Sequence, residues 1–118
     1  MATFPVPDRA VSAALRMRDA MRQLNERRGA EDVILKIGIH EGPCLAVNLN
    51  DRQDYFGQTV NIASRVQELA TGDSIFATQP IVRHADSARL LSSRGVDAEP
   101  QKLTLRGIGD RMPVFAMT

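Results

Sequence analysis

The chain has 118 residues, 43% hydrophobic and 25% charged, with a net charge of +1. That is enough for one soluble domain to bury roughly two-thirds of its unfolded surface without disulfides or a structural metal. The single cysteine, Cys44, excludes disulfide scaffolds and zinc ribbons, and the near-neutral balance gives no overall reason to expect nucleic acid or an anionic membrane as partner. No apolar run approaches the roughly 18 residues of a membrane span, and Met1-Ala2-Thr3-Phe4-Pro5 lacks the character of a signal peptide. One domain over residues 1–118, in the cytoplasm, is therefore expected.

Ala2 to Val6 reads as the end of an apolar strand. Pro7-Asp8 then offers a helix start with Asp8 as cap, and apolar residues at Ala10, Ala14, Met17, Met21 and Leu24 recur in steps of three and four up to Arg28-Gly29. The other face carries Arg9, Arg16, Arg18, Arg22 and Arg27; with Asp19 and Glu26 interleaved, it reads as a solvated face. Val33 to Ile39 alternates as a central strand, Glu41-Gly42-Pro43 turns, and Cys44 to Val47 returns as its hairpin partner. Asn48 to Gln53 reads as a polar loop.

Gly57 to Ala70 is helical again, with Val60, Ile62, Ala63, Val66, Leu69 and Ala70 filling half of the wheel and Asn61 and Arg65 falling together just outside it. Thr71-Gly72-Asp73 ends the helix. Ser74 to Ala77 is a short strand, Gln79 to His84 a short helix, and residues 85–100 show no clear period. Leu103 to Leu105 and Val114 to Met117 read as a closing hairpin around Gly107-Ile108-Gly109-Asp110. The order predicts an α+β sandwich with helices on one face of the sheet.

The chemistry-bearing stretch is Asp54-Tyr55-Phe56-Gly57-Gln58-Thr59-Val60-Asn61-Ile62-Ala63-Ser64-Arg65. A carboxylate precedes an aromatic pair and a glycine, and an amide and a guanidinium follow at i and i+4 on one helix face. A carboxylate accepts from an exocyclic amine, a helix start favours phosphate, and a rigidly held arginine meets charge growing on phosphorus. Spacing alone leaves a plain solvent-facing reading open for both Asn61 and Arg65.

This stretch resembles the signature of the class III nucleotidyl cyclases, the adenylate and guanylate cyclase catalytic domain. Lys36-Ile37-Gly38-Ile39-His40-Glu41-Gly42-Pro43 is similar to the strand and turn before that signature, Ser74-Ile75-Phe76-Ala77 to the strand after it, and Leu105-Arg106-Gly107-Ile108 with Val114-Phe115 to the terminal hairpin. The resemblance implies a ferredoxin-like (βαββαβ-type) sandwich, helices packed on a mainly antiparallel sheet, truncated at its N-terminus. It implies cyclisation of ATP to cyclic AMP and pyrophosphate, with Asp54 selecting adenine, Asn61 orienting the ribose and Arg65 stabilising the pentacoordinate phosphorus. Phe56 and Gly57 complete the nucleotide-binding set, together with two positive charges for the phosphates: Lys36, where the family often has Arg, and Arg106, where many members have Lys. His40 and Glu41 are assigned to the turn.

The resemblance also implies Mg²⁺ or Mn²⁺ as cofactor of the complete domain, held by two aspartates that precede the segment Met1-Ala2-Thr3-Phe4 resembles. No metal ligand is assigned in this chain, which is expected to be incompetent alone. The implied partners are ATP and a second copy, in a head-to-tail homodimer or a domain-swapped oligomer. The competing expectations are a catalytically silent regulatory or dimerisation module of the same ancestry and an unrelated ferredoxin-like interaction domain.

Overall fold

Pro7 fixes the start of the first helix, because a proline at the first helical position gives up only an N–H that has no partner there anyway. The computed structural model describes residues 2–29, 35–43, 45–70, 74–104 and 113–118, with the side chains of residues 49 and 102–104 excepted. Helix α1 (Pro7–Arg28) is capped by the backbone of Val6 with no side-chain bond, so Asp8 sits inside the first turn rather than at the cap expected of it. Gly29 ends the helix at φ 66°, a left-handed conformation that favours glycine, and its N–H closes on the carbonyls of Asn25 and Glu26. Residues 2–6 form no strand, and Phe4 and Val6 are exposed.

The strands β1 (Ile37–Ile39), β4 (Ile75–Thr78), β5 (Ala98–Thr104) and β6 (Pro113–Met117) form one sheet in the order β1-β4-β6-β5. β1 pairs parallel with β4, Gly38 opposite Phe76, and the other two pairings are antiparallel. β5 and β6 are the expected closing hairpin, although β5 starts as early as Ala98 and a register shift interrupts it between Gln101 and Thr104. Residues 105–112, expected to hold the hairpin's turn, lie outside the described residues, as do Val33, Ile34, Cys44 and residues 71–73.

Helices cover both faces of this sheet, where the sequence reading placed them on one. All four residues of β4 are buried, so its alternating side chains serve two cores. Ile75 and Ala77 join Ile39 and Met117 under α1, α3 (Gln79–Arg83) and α4 (Ala85–Ser93), through Val11, Ala14, Leu15, Ile81 and Leu91. Phe76 joins Val114 and Ala116 on the other face, under Ile62 and Val66 of α2 (Gln58–Leu69) and Ala70, which caps that helix.

α1 presents a different stripe from the expected one. Val11, Ala14, Leu15 and Arg18 are buried, whereas Met17 is 45% and Leu24 42% exposed. Arg18 therefore leaves the solvated face assigned to it. It is only 5% exposed, and its Nη1 donates to the main-chain carbonyl of Met117 at 2.7 Å. Among the described residues no helix is long and apolar enough to cross a membrane.

The second hairpin also differs. β2 (Leu45–Leu49) pairs with β3 (Arg52–Phe56), while the partner described for β1 is β4. Asn50 and Asp51 both have positive φ, 51° and 62°, as the tightest two-residue hairpin turn requires, and Asn and Asp tolerate that region best after glycine. The expected polar loop is thus a turn flanked by strands.

α2 crosses β1 at very close range. A Cβ built on Gly38 falls 2.8 Å from the carbonyl oxygen of Ala63 and nearer still to the backbone nitrogen of Gln67. Backbone cannot swing aside as a flexible side-chain tip can, so Gly38→Ala forces the helix off the strand. Urea unfolding of Gly38→Ala should show a loss of about 1–3 kcal/mol, the usual cost of overpacking; an unchanged midpoint would show that α2 rides freely over β1.

Candidate functional site

The stretch singled out in the sequence becomes a strand, a one-residue hinge and a helix. Asp54 lies on β3 opposite Val47, not on a loop, and its exposed carboxylate accepts the N–H of Tyr55 through Oδ1 at 2.8 Å. A carboxylate has lone pairs to spare, so this bond orients the group without exhausting it. Gly57 then breaks the strand at φ 130°, within the range that only glycine adopts easily, and serves as the N-cap of α2. Its carbonyl takes the N–H of Asn61 at 3.2 Å. No side chain caps this helix and its first turn holds no acidic residue, so the positive end of its dipole is not offset locally.

Asn61 and Arg65 are both exposed, beside the buried Ile62 and Val66. Burying the stripe of residues 62, 66 and 70 against β4 and β6 sets the rotation of the helix, and that rotation presents the amide and the guanidinium outward about 6 Å apart along the axis. Phe56 is 44% exposed and pairs directly with Leu45, which is 64% exposed, leaving an apolar patch where the hairpin meets the helix.

Not all the expected groups gather here. Gly42 lies against Thr59 and Gly38 against Ala63 and Gln67, so the chain from residue 38 to 42 runs antiparallel to α2. The exposed Lys36 is thereby placed towards the C-terminal end of the helix, away from Gly57. Arg106 lies outside the described residues. Among the described residues, the one group of three His, Cys, Asp or Glu side chains close enough to share an ion is Asp8, His84 and Asp86, none of which belongs to α2 or the β2–β3 hairpin. The residues described around Asn61 and Arg65 thus do not fit a site for divalent ions.

His40, at the end of β1, shares a 2.6 Å hydrogen bond between its Nδ1 and Oγ1 of the wholly buried Thr78 at the end of β4. This clamp closes the parallel pair at the turn that carries Gly42, in keeping with the turn role expected of His40. Burial pushes the imidazole pKa below its ordinary 6.5, partly opposed by the neighbouring Glu41. The folded state then holds the neutral ring while the unfolded chain takes up a proton, so His40's contribution is full above 6.5 and is lost as the pH falls below it. Thermal unfolding as a function of pH should show wild type losing stability over that window and His40→Gln losing distinctly less; parallel curves would remove His40 from the pH response.

The chain resembles known proteins along most of its length. Residues 7–112 match the sequence model of the adenylate and guanylate cyclase catalytic domain. Guanylate cyclase 32E of Drosophila melanogaster is 40% identical over 68 residues, covering 54% of this chain and 6% of that protein. An adenylate/guanylate cyclase/hydrolase from Silicibacter pomeroyi superposes with a TM-score of 0.72 at 21% identity, over 98% of this chain and 64% of the other. The adenylyl cyclase CyaB from P. aeruginosa gives 0.69 at 20% identity, over 95% and 58%. The chain therefore spans about three-fifths of the structures it matches and a small part of the fly protein.

Proposed function

This chain belongs to the adenylate and guanylate cyclase catalytic domain family, and from that premise we propose that it is the nucleotide-gripping part of an adenylate cyclase catalytic domain, taking ATP as its substrate. One observation carries the reading: Asn61 and Arg65 stand outward one turn apart on a helix whose register is fixed by its packing, and the exposed Asp54 lies on the strand that leads into that helix. Adenine presents an amine at the position where guanine presents a carbonyl, so a carboxylate there attracts the first base and repels the second. This favours ATP, although the fly relative bears the name of a guanylate cyclase.

In the reaction, the ribose 3′-oxygen forms a bond to the α-phosphorus, the bond from that phosphorus to the bridging oxygen breaks, pyrophosphate leaves, and the hydroxyl proton passes to water. Asn61 holds the sugar so that its 3′-oxygen lies in line with the bond that breaks. Arg65 offers fixed donors to the equatorial oxygens as their charge grows, which accelerates the step because the donors need no reorganisation. Phe56 and Gly57 let the base approach the backbone at the helix start. Lys36, set apart towards the other end of α2, is assigned to the triphosphate of a second copy in a head-to-tail pair, with the exposed Leu45 and Phe56 as part of the contact. Arg106 is assigned the remaining phosphate charge.

Since no carboxylate set gathers beside Asn61 and Arg65 among the described residues, the reading gives this chain binding and positioning but little turnover on its own. Titration of the 118-residue chain with ATP and GTP should show preference for ATP, and Asp54→Ala should lose roughly tenfold in ATP affinity while leaving GTP unchanged or improved. In the parent catalytic domain, Arg65→Ala or Asn61→Ala should lower kcat by roughly 10²- to 10³-fold. Equal ATP and GTP affinities, unaltered in Asp54→Ala, would overturn the base assignment; full activity of Arg65→Ala would reduce the chain to a silent dimerisation module.

A further inference from the structure

On the sheet face opposite α2, three side chains able to bind a metal meet where two helices begin. Asp8 is in the first turn of α1 and Asp86 in the first turn of α4, and His84 is the single extended residue joining α3 to α4, at φ −61° and ψ 130°. One donor atom from each residue lies within 4.8 Å of the others. The sequence alone hides this trio, because Asp8 is separated from the other two by the whole of β1 to α3.

The joint also leaves polar atoms unsatisfied. Nδ1 of His84 and Oγ of Ser87 are buried, and neither has a hydrogen-bond partner. Ser87 itself is fully buried, in the turn that carries Asp86. Buried polar atoms are nearly always paired, so two orphans in one turn call for a ligand or ordered water. The contact that engages Asp86 is a 3.8 Å pair with Arg89 between two largely exposed side chains, which is too weak to hold the carboxylate against a cation.

From these observations we infer that Asp8, His84 and Asp86 form a site for a divalent transition-metal ion, separate from the nucleotide residues. An imidazole with two carboxylates suits a borderline ion such as Zn²⁺ rather than Ca²⁺ or Mg²⁺, which prefer oxygen ligands. Bonds of 2.0–2.2 Å around a tetrahedral ion hold donors roughly 3.3–3.6 Å apart, so side-chain rotations of about 1 Å close the set while both helices stay in place. Water fills the open position. The ion staples the start of α1 to the α3–α4 joint, replacing repulsion between two carboxylates with shared ligation.

The test is calorimetric titration of the intact chain with Zn²⁺, with Mg²⁺ as the control. One Zn²⁺ per chain is expected, weakened roughly tenfold or more in His84→Ala and in Asp8→Asn, with circular dichroism showing that both variants keep their helices. Substoichiometric Mn²⁺ should broaden the wild-type amide resonances of residues 7–10 and 83–88 first, a readout that needs no variant. Absence of Zn²⁺ binding, unchanged affinity in His84→Ala, broadening centred elsewhere, or a thiolate charge-transfer band with Co²⁺ that assigns the ion to Cys44 would each overturn the inference.

Discussion

The contact on which the site depends is backbone against backbone. α2 reaches the sheet through Gly38, where no side chain intervenes, and its turns at Ala63 and Gln67 rest directly on β1. At that separation the helix has almost no freedom to roll, and the buried residues Ile62 and Val66 remove what remains. Asn61 and Arg65 owe their outward direction to this seat. The loop end of β1 is held in turn by His40 and Thr78, and Gly42 packs on Thr59 in the first turn of the helix. A single glycine in a strand thus controls the aim of two side chains twenty-odd residues away.

Much of this was legible in the sequence. α2 declared itself by period and by the glycine before it, β4 by its apolar run, and the final hairpin by two strands around a glycine-rich turn. The placement of Asn61 and Arg65 followed from their spacing. What escaped was decided by tertiary context or by a weak local signal. Asn50-Asp51 is a fair turn pair, yet without a glycine it reads as generic polarity, and so the expected loop over residues 48–53 hides the ends of two strands.

The errors in α1 have one cause. Two apolar stripes of that helix share Ala14, and the longer side chains of Met17, Met21 and Leu24 outweigh Val11 and Leu15 on paper. The sheet selects the stripe through Val11, Leu15 and Arg18, and it accepts Arg18 because the Met117 carbonyl takes a hydrogen bond from Nη1 of the guanidinium. Residues 85–100 were opaque since α4 is a short helix whose buried positions include a serine. Helices on both faces followed from β4 being buried throughout, and a run of three apolar residues and a threonine cannot say which face each side chain serves.

The link between Arg18 and the Met117 carbonyl joins positions 99 apart in the chain. A nascent polypeptide cannot make it until Met117 has left the ribosome, so α1 lacks a complete partner while the 99 positions after Arg18 are synthesised. High contact order of this kind slows folding and lengthens the exposure of Val11 and Leu15 to chaperones and to neighbouring chains. Helix α1 is in this sense made well before it can be secured.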